Sequence, residues 1–343
     1  MISGTITLVS GTTIEISDEN VVAGSTSITM STCGKNKFSL GTFNSSMLKM
    51  GIIDDDALQH EFAGASVTLS DTIEVEGEDT EVALGEYWID GTTIKRQKNY
   101  VTFTAYDAAV KFNEELPDNV RDTAYTPLTL YQAACTAVGV TLVTPSSFPN
   151  STASFKLKSA AIQTWRDAVM WAVQLQSCNA IIDREGRLTI RPAKHASSSE
   201  DWLIDATQRQ SIQFSDTRIF PKYMDAYSAG TVKSYISTRT INDVQSRKGK
   251  IALAYNPLLE EVSETDCDTI NENILDYMGN FLQRQVVATL YDNPLIALGE
   301  LVRFSGGKID VRRSVLAIVT HIDWKYHGAT VVTCTAPDAI ADE

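Results

Sequence analysis

The sequence predicts an α+β protein dominated by β structure. Three observations predict it. Roughly the first hundred residues carry short runs of alternating apolar and polar side chains, two amphipathic helical patterns lie in the middle, and β patterns then return around one long helix.

Thr5 to Val9 and Thr13 to Ile16 are short runs with Gly11 between them, which reads as a hairpin. Ser27 to Thr32 and Asn36 to Leu40 follow, separated by the turn Cys33-Gly34-Lys35. Ala65 to Leu69, Glu81 to Ile89 and Tyr100 to Tyr106 continue the series. Tyr87, Ile89, the stretch Thr92 to Ile94, then Val101, Phe103 and Ala105 show the period of two expected of half-buried strands. Several short strands at this spacing predict a barrel or a sandwich. The acidic run Asp54-Asp55-Asp56 lacks the spaced ligands, central glycine and closing glutamate of a calcium loop. It reads instead as the start of a short helix, where carboxylates meet the positive end of the dipole.

Near Asp107 the pattern changes. Ala108, Ala109 and Val110 begin a short helix, and Pro117 is expected to stop regular structure. A helix opens at Thr129, with Leu130, Ala133, Ala134, Ala137 and Val138 on one face and Gly139 as its stop. A second runs from Thr164, a good cap, to about Ser177, with Trp165, Ala168, Val169, Ala172 and Leu175 as its stripe. A hairpin follows: Ala180 to Asp183, a turn through Arg184-Glu185-Gly186, then Arg187 to Arg191. Lys194 to Glu200 is polar and reads as a linker.

Strands resume at Ser211 to Phe214, Lys222 to Tyr227 and Ser234 to Thr240. A long helix is predicted over Thr265 to Arg284, turning Ile270, Ile274, Tyr277, Met278 and Phe281 to a core. The last strands are Val286 to Tyr291, Glu300 to Phe304, Arg313 to Trp324 and Thr330 to Ala336. No strong internal repeat is visible. The layout permits two barrel-like domains, residues 1–112 and 199–343, flanking a small α/β insert at 113–198.

At 343 residues and 43% hydrophobic, the chain can bury a substantial core. No stretch reaches the roughly 20 apolar residues of a membrane helix, and the N-terminus lacks the features of a signal peptide, so folding in a cytoplasm is expected. The formal charge of −14 would repel phosphate backbones; it suits solubility, or a channel wall past which nucleic acid slides.

A search for chemistry finds little. The five cysteines, Cys33, Cys135, Cys178, Cys267 and Cys334, are scattered without a CxxC pair, so each reads as a small buried apolar residue. His60, His195, His321 and His327 form no HExxH, and the last two read as surface or hairpin residues. No nucleophile elbow, phosphate loop or dinucleotide fingerprint occurs. Ser305-Gly306-Gly307-Lys308 follows a strand without opening a helix, so it reads as a hairpin loop. Adjacent acids such as Glu114 with Glu115 are expected by chance among 43 carboxylates. No catalytic residue, metal site or cofactor is predicted.

Three segments together resemble the hub proteins of long-tailed phages, the trimeric baseplate hub of contractile tails and the equivalent tail-tip protein of flexible tails. The first is Gly85-Glu86-Tyr87-Trp88-Ile89-Asp90-Gly91, followed by Val101 to Ala109 with Tyr106-Asp107 inside it, and then Phe112-Asn113. The second is the helix opened by Thr164-Trp165 with the hairpin Asp183-Arg184-Glu185-Gly186-Arg187-Leu188. The third is Asn293-Pro294 through Gly299-Glu300, where family members usually carry Gly-Asp, with Tyr326-His327-Gly328 before the last strand. The order of the segments, spread over most of the chain, carries the resemblance, while 194–251 matches nothing in the family.

The resemblance implies a structural protein and not an enzyme. Two barrels per subunit, similar to the tail-tube fold, would make a pseudo-sixfold ring in a homotrimer. That ring would join a hexameric tail tube to a threefold spike or tip, within the virion's tail tip or baseplate or within a related contractile injection machine. Tail-tube protein, spike or tip protein, other baseplate components and tape-measure protein are the implied partners. DNA would pass through without specific binding, and no membrane insertion is implied. The chain ends just after the second barrel, so peptidase, lysozyme-like or receptor-binding extensions of some relatives are not expected. Two rivals from other classes are a tail-associated hydrolase, which would cleave peptidoglycan or peptide, and a host glycan-binding protein, which would expose aromatic loops.

Overall fold

The computed structural model describes residues 1–33, 39–75, 77–192, 200–215, 218–237, 246–253, 255–278, 284–307 and 314–336. The N-terminal part contains β1 (Ile2–Thr7), β2 (Thr13–Ser17), β3 (Ser27–Ser31), β4 (Met47–Ile53), β5 (Ser66–Val75), β6 (Glu78–Ile89), β7 (Lys95–Gln97) and β8 (Tyr100–Tyr106). The hairpin β1–β2 forms as expected, with Thr7 opposite Thr13. Residues 36–38 of the expected strand Asn36 to Leu40 lie outside the described residues.

Three local expectations are corrected. The strand β4 was not anticipated, yet it pairs with β3 on one side and β8 on the other. Leu48, Met50 and Ile52 are buried while Lys49 and Ile53 are exposed, but the buried Gly51 between them interrupts the alternation that would announce the strand. Thr92 to Ile94 is not extended: Gly91–Thr93 makes a 3-10 turn, because the Asp90 carboxylate accepts the Thr92 N–H and hydroxyl. The run after Asp54 forms turns rather than a helix. Asp54 accepts the Asp56 N–H with one oxygen and meets His60 Nδ1 at 2.9 Å with the other, which is how aspartate competes with helix formation.

The middle part holds a 3-10 segment (Ala108–Asn113), α1 (Asp118–Arg121), α2 (Pro127–Val138), α3 (Trp165–Leu175), β9 (Cys178–Ile182) and β10 (Leu188–Pro192). Pro117 does not stop regular structure but caps the single turn α1, a position where its missing N–H costs nothing. The helix expected from Thr129 starts two residues earlier, capped by Thr126. Thr126 accepts the Thr129 N–H, and the Thr129 hydroxyl accepts the Thr126 N–H in return. Gly139 ends it with φ +68, as expected. Thr164 caps α3 with Asp167 as reciprocal partner, and β9–β10 is the expected hairpin.

The C-terminal part contains β11 (Trp202–Ile204), β12 (Arg209–Phe214), β13 (Arg218–Ser228), β14 (Thr231–Ile236), β15 (Ser246–Leu253), α4 (Glu264–Met278), β16 (Arg284–Leu290), β17 (Leu301–Phe304), β18 (Val315–Lys325) and β19 (Thr330–Ala336). Arg284, expected to end the long helix, instead opens β16, and Phe281 lies outside the described residues. So do residues 194–199 of the expected linker and 238–240 of the expected strand Ser234 to Thr240. Gly306 and Gly307 sit in the β17–β18 connection with φ +71 and +70, as a hairpin loop should.

One sheet joins the two ends of the chain. Its order is β12-β16-β19-β18-β3-β4-β8-β6-β5-β1-β2, with β7, β11 and β17 attached beside this path. The seam is β3 against β18, from His321 opposite Ser31 to Lys325 opposite Ser27. Among the described residues this path is open, ending at β12 and β2, and no closed barrel appears in it. Separate sheets are formed by β10–β9 and by β14–β13–β15.

Two buried cores divide the molecule. One lies along the large sheet and holds Ile2, Ile28, Leu48, Phe103, Val286 and Trp324. The other gathers α2, α3 and the hairpin β9–β10, but also Met224 and Ala226 of β13 and Ile270, Ile274 and Met278 of α4. The sheet β13–β15 and α4 thus pack with the middle part of the chain. Among the described residues no helix is long and apolar enough to cross a membrane.

Candidate functional site

Little in the described residues is equipped for covalent or metal chemistry. All five cysteines are free and buried. Burial pushes the Cys135 thiol up to about 12 and raises Cys178 and Cys334 as well, so the reactive thiolate is suppressed. No three of His, Cys, Asp and Glu come together to hold a metal ion among the described residues. His321, expected at the surface or in a hairpin, lies in β18 opposite Thr333 of β19 and is buried there, its Nε2 3.1 Å from Asp323 without hydrogen-bond geometry. His327 does lie in the β18–β19 turn, at φ +54.

Gly85, Tyr87, Arg184, Gly186, Pro294, Gly299 and Glu300 of the motif segments meet at one junction, where β6, the hairpin β9–β10 and the segment before β17 come together. Gly85 has φ +131 beside a bulge in the β5–β6 pairing, and a Cβ there would strike the Tyr87 ring at 2.9–3.0 Å. Tyr87 is buried and donates its hydroxyl to the Leu84 carbonyl at 2.8 Å; burial raises its pKa, so it stays a neutral donor. Arg184 donates to the Ile296 carbonyl at 2.9 Å. Burial lowers its pKa, and Tyr87, Glu300 and Glu185 offset part of that. Gly186 gives the hairpin turn its φ of +73 next to Glu86. Pro294 is buried beside Arg184 and Leu84. Gly299, at φ +79, lies under the Arg191 stem, and its N–H donates to Val319. Glu300 accepts the Trp202 indole N–H and the Ala297 N–H, both at 2.7 Å.

Ile89, Asp90, Tyr106, Trp165, Leu188 and Gly328 are dispersed. Ile89 is buried opposite Ala105, Asp90 caps its 3-10 turn, and Tyr106 ends β8 opposite Trp88. Trp165 and Leu188 belong to the core of the middle part. Gly328 shapes the β18–β19 turn, where a Cβ would press on Lys325.

Asp107 forms a second, smaller tie. Its carboxylate accepts the Ser46 N–H at 2.8 Å and the Ala109 N–H at 3.1 Å, fastening β8 to the segment before β4. Nearby, Arg166 of α3 donates from Nε and Nη2 to the Phe43 carbonyl at 2.9 and 2.6 Å. Burial outweighs these hydrogen bonds and pushes Asp107 up to about 6. Its folded pKa therefore lies above the unfolded value of 3.8. The stability it contributes is present at low pH and is lost as pH rises through about 6. Denaturant titrations should show that this group adds about 1 kcal/mol on going from about pH 7 to about pH 5. Asp107→Asn should flatten the pH profile by that amount; an unchanged profile would contradict the assignment.

Sequence reasoning singled out neither Arg191, nor Arg166, nor β4. Arg191 was legible only as the end of a strand, because what distinguishes it is Gly299, far along the chain.

No family model matches the sequence, and no curated protein matches it either. Solved structures do. A 43 kDa tail protein of prophage MuSo2 from Shewanella oneidensis is similar at a TM-score of 0.59 with 11% identity, over 98% of this chain and 98% of that one. A tail protein from Neisseria meningitidis MC58 gives 0.59 with 8% identity, over 97% and 96%. The prophage tail protein gp18 from Listeria monocytogenes EGD-e gives 0.52 with 9% identity, over 98% and 95%. At such identities the likeness speaks for the fold, and it runs nearly end to end. The chain has the fold of phage tail proteins, as the resemblance in its sequence implied.

Proposed function

We propose that this protein is a structural subunit of a phage tail tip or baseplate, or of a related phage-derived injection machine, and not an enzyme. The observation that carries the reading is the end-to-end likeness of its fold to the three tail proteins. In this reading three copies close a ring, since soluble homo-oligomers adopt point symmetry. Residues 1–112 and 199–343 supply two tube-like barrel units per copy, and 113–198 forms the insert. The six barrel units give the ring a pseudo-sixfold face for the hexameric tail tube and a threefold face for the spike or tip. The net charge of −14, turned to the bore, lets DNA or tape-measure protein pass by repulsion.

Purified protein imaged by electron microscopy is expected to show rings with threefold symmetry and a central opening. Compact particles without an opening would contradict the reading.

A further inference from the structure

The middle part of the chain carries a cleft of a different chemistry from the junction. The loop 150–154 and α4 flank a cavity of about 430 Å³, within the roughly 300–1,000 Å³ of small-molecule sites. Ser151, Thr152 and Ser154 line it from the loop, and Asp266, Thr269 and Asn273 from α4. Its apolar lining is Ala153, Val262 and Ile270. No lysine, arginine or histidine lines it, and Asp266 is its one carboxylate.

Asn150 holds the cleft in shape. It takes a left-handed backbone, φ +57, and its Nδ2 donates to the carbonyls of Leu175 at 2.8 Å and Ile270 at 3.1 Å. Its Oδ1 accepts from Asn273 Nδ2 at 2.9 Å. One side chain thus fastens the loop both to the end of α3 and to α4. The lining hydroxyls are not consumed in this way. Those of Ser151, Thr152 and Ser154 have no hydrogen-bond partner among the described residues. Thr269 donates to the Thr265 carbonyl at 2.9 Å and keeps its lone pairs. Asp266 accepts the Ser263 hydroxyl with one oxygen at 2.7 Å and keeps the other.

We propose that this cleft binds a neutral sugar. The lining decides between ligand classes. An anion would meet Asp266 and no cation. A divalent cation needs more oxygen ligands of higher charge than a single carboxylate supplies. A wholly apolar ligand would leave the polar lining desolvated and unpaired. A sugar ring carries hydroxyls along its edge and C–H groups on its faces. Its hydroxyls donate and accept, as do the side chains of serine, threonine and asparagine. The open oxygen of Asp266 accepts from a hydroxyl of the ring, and Ala153 and Ile270 receive a C–H face. The proposal goes beyond the tail-subunit reading and does not depend on it.

The test is saturation-transfer NMR of the full chain with glucose, rhamnose and N-acetylglucosamine, and with glucuronate as the anionic counterpart of glucose. Saturable binding of at least one neutral sugar is expected, and none of glucuronate, which Asp266 repels. For the sugar that binds, Ser154→Ala and Thr269→Ala should each weaken it about fivefold, the loss of one hydrogen bond, with the unfolding midpoint unchanged. Thr136→Ala removes an exposed hydroxyl that makes the same kind of bond on α2, to the Gln132 carbonyl, and should leave binding as it was. Thr269→Trp, at an exposed position on α4, fills the cleft and should abolish binding. No binding of any neutral sugar, equal binding of glucuronate, or an equal loss in Thr136→Ala would overturn the proposal. An oligomer of the bound sugar that competes better than the single ring assigns the ligand to a surface glycan, and equal competition assigns it to the free sugar; either result upholds the site. Rings without sugar binding would sink this proposal alone, and sugar binding without rings would sink the trimeric reading alone.

Discussion

Trp165→Ala is expected to destabilise the protein by about 3–5 kcal/mol, the range for removing a large buried aromatic side chain. Trp165 opens α3, is 2% exposed, and belongs to the core that unites α2, α3, α4 and the hairpin β9–β10. Its indole Nε1 is buried without a hydrogen-bond partner among the described residues. An unmade buried hydrogen bond costs about 1–3 kcal/mol. Trp165→Phe removes that N–H along with part of the volume, so the two effects offset and the variant should stay close to wild type. Chemical denaturation of the two variants separates them. Equal losses would show that the indole N–H has a partner after all.

The second large effect is expected at the seam. Ile28 is 1% exposed on β3, facing Trp324 of β18 on one side and Leu48 of β4 on the other. Ile28→Asp places a carboxylate in this apolar core, between Trp324 and Leu48, which should cost at least about 3 kcal/mol. Ile28→Val should cost about 1 kcal/mol. Because the sheet is continuous across β3 and β18, hydrogen exchange in Ile28→Asp should rise both in β8 and in β16. A rise confined to one side would mean that the two halves of the sheet are held independently.

The middle of the chain was the most legible in the sequence, for a local reason. Thr164 and Asp167 make a reciprocal cap, the apolar stripe from Trp165 to Leu175 has helical spacing, and Gly186 supplies the left-handed turn of the hairpin. All of these signals lie within a few residues of the structure they specify. Elsewhere the deciding partner is distant. β4 hides because the alternation of Leu48, Met50 and Ile52 inward against the exposed Lys49 and Ile53 is interrupted by a buried Gly51, which packs against Ser25 and Thr102. Thr92 to Ile94 reads as strand by its alternation, but the Asp90 side chain turns Gly91–Thr93. The three-stranded sheet depends on a parallel pairing of β13 with β15 that no turn announces. Of the site, the left-handed glycines Gly85, Gly186 and Gly299 were visible as glycines in motifs. The junction they build was not, since it requires β6, β9–β10 and the segment before β17 to meet in space.

The proposed closed trimeric ring stands or falls on the mass of the protein in solution. Light scattering over a range of concentrations and salt levels should give three times the 37.6 kDa of one chain. A mass of one chain throughout would contradict the trimeric ring.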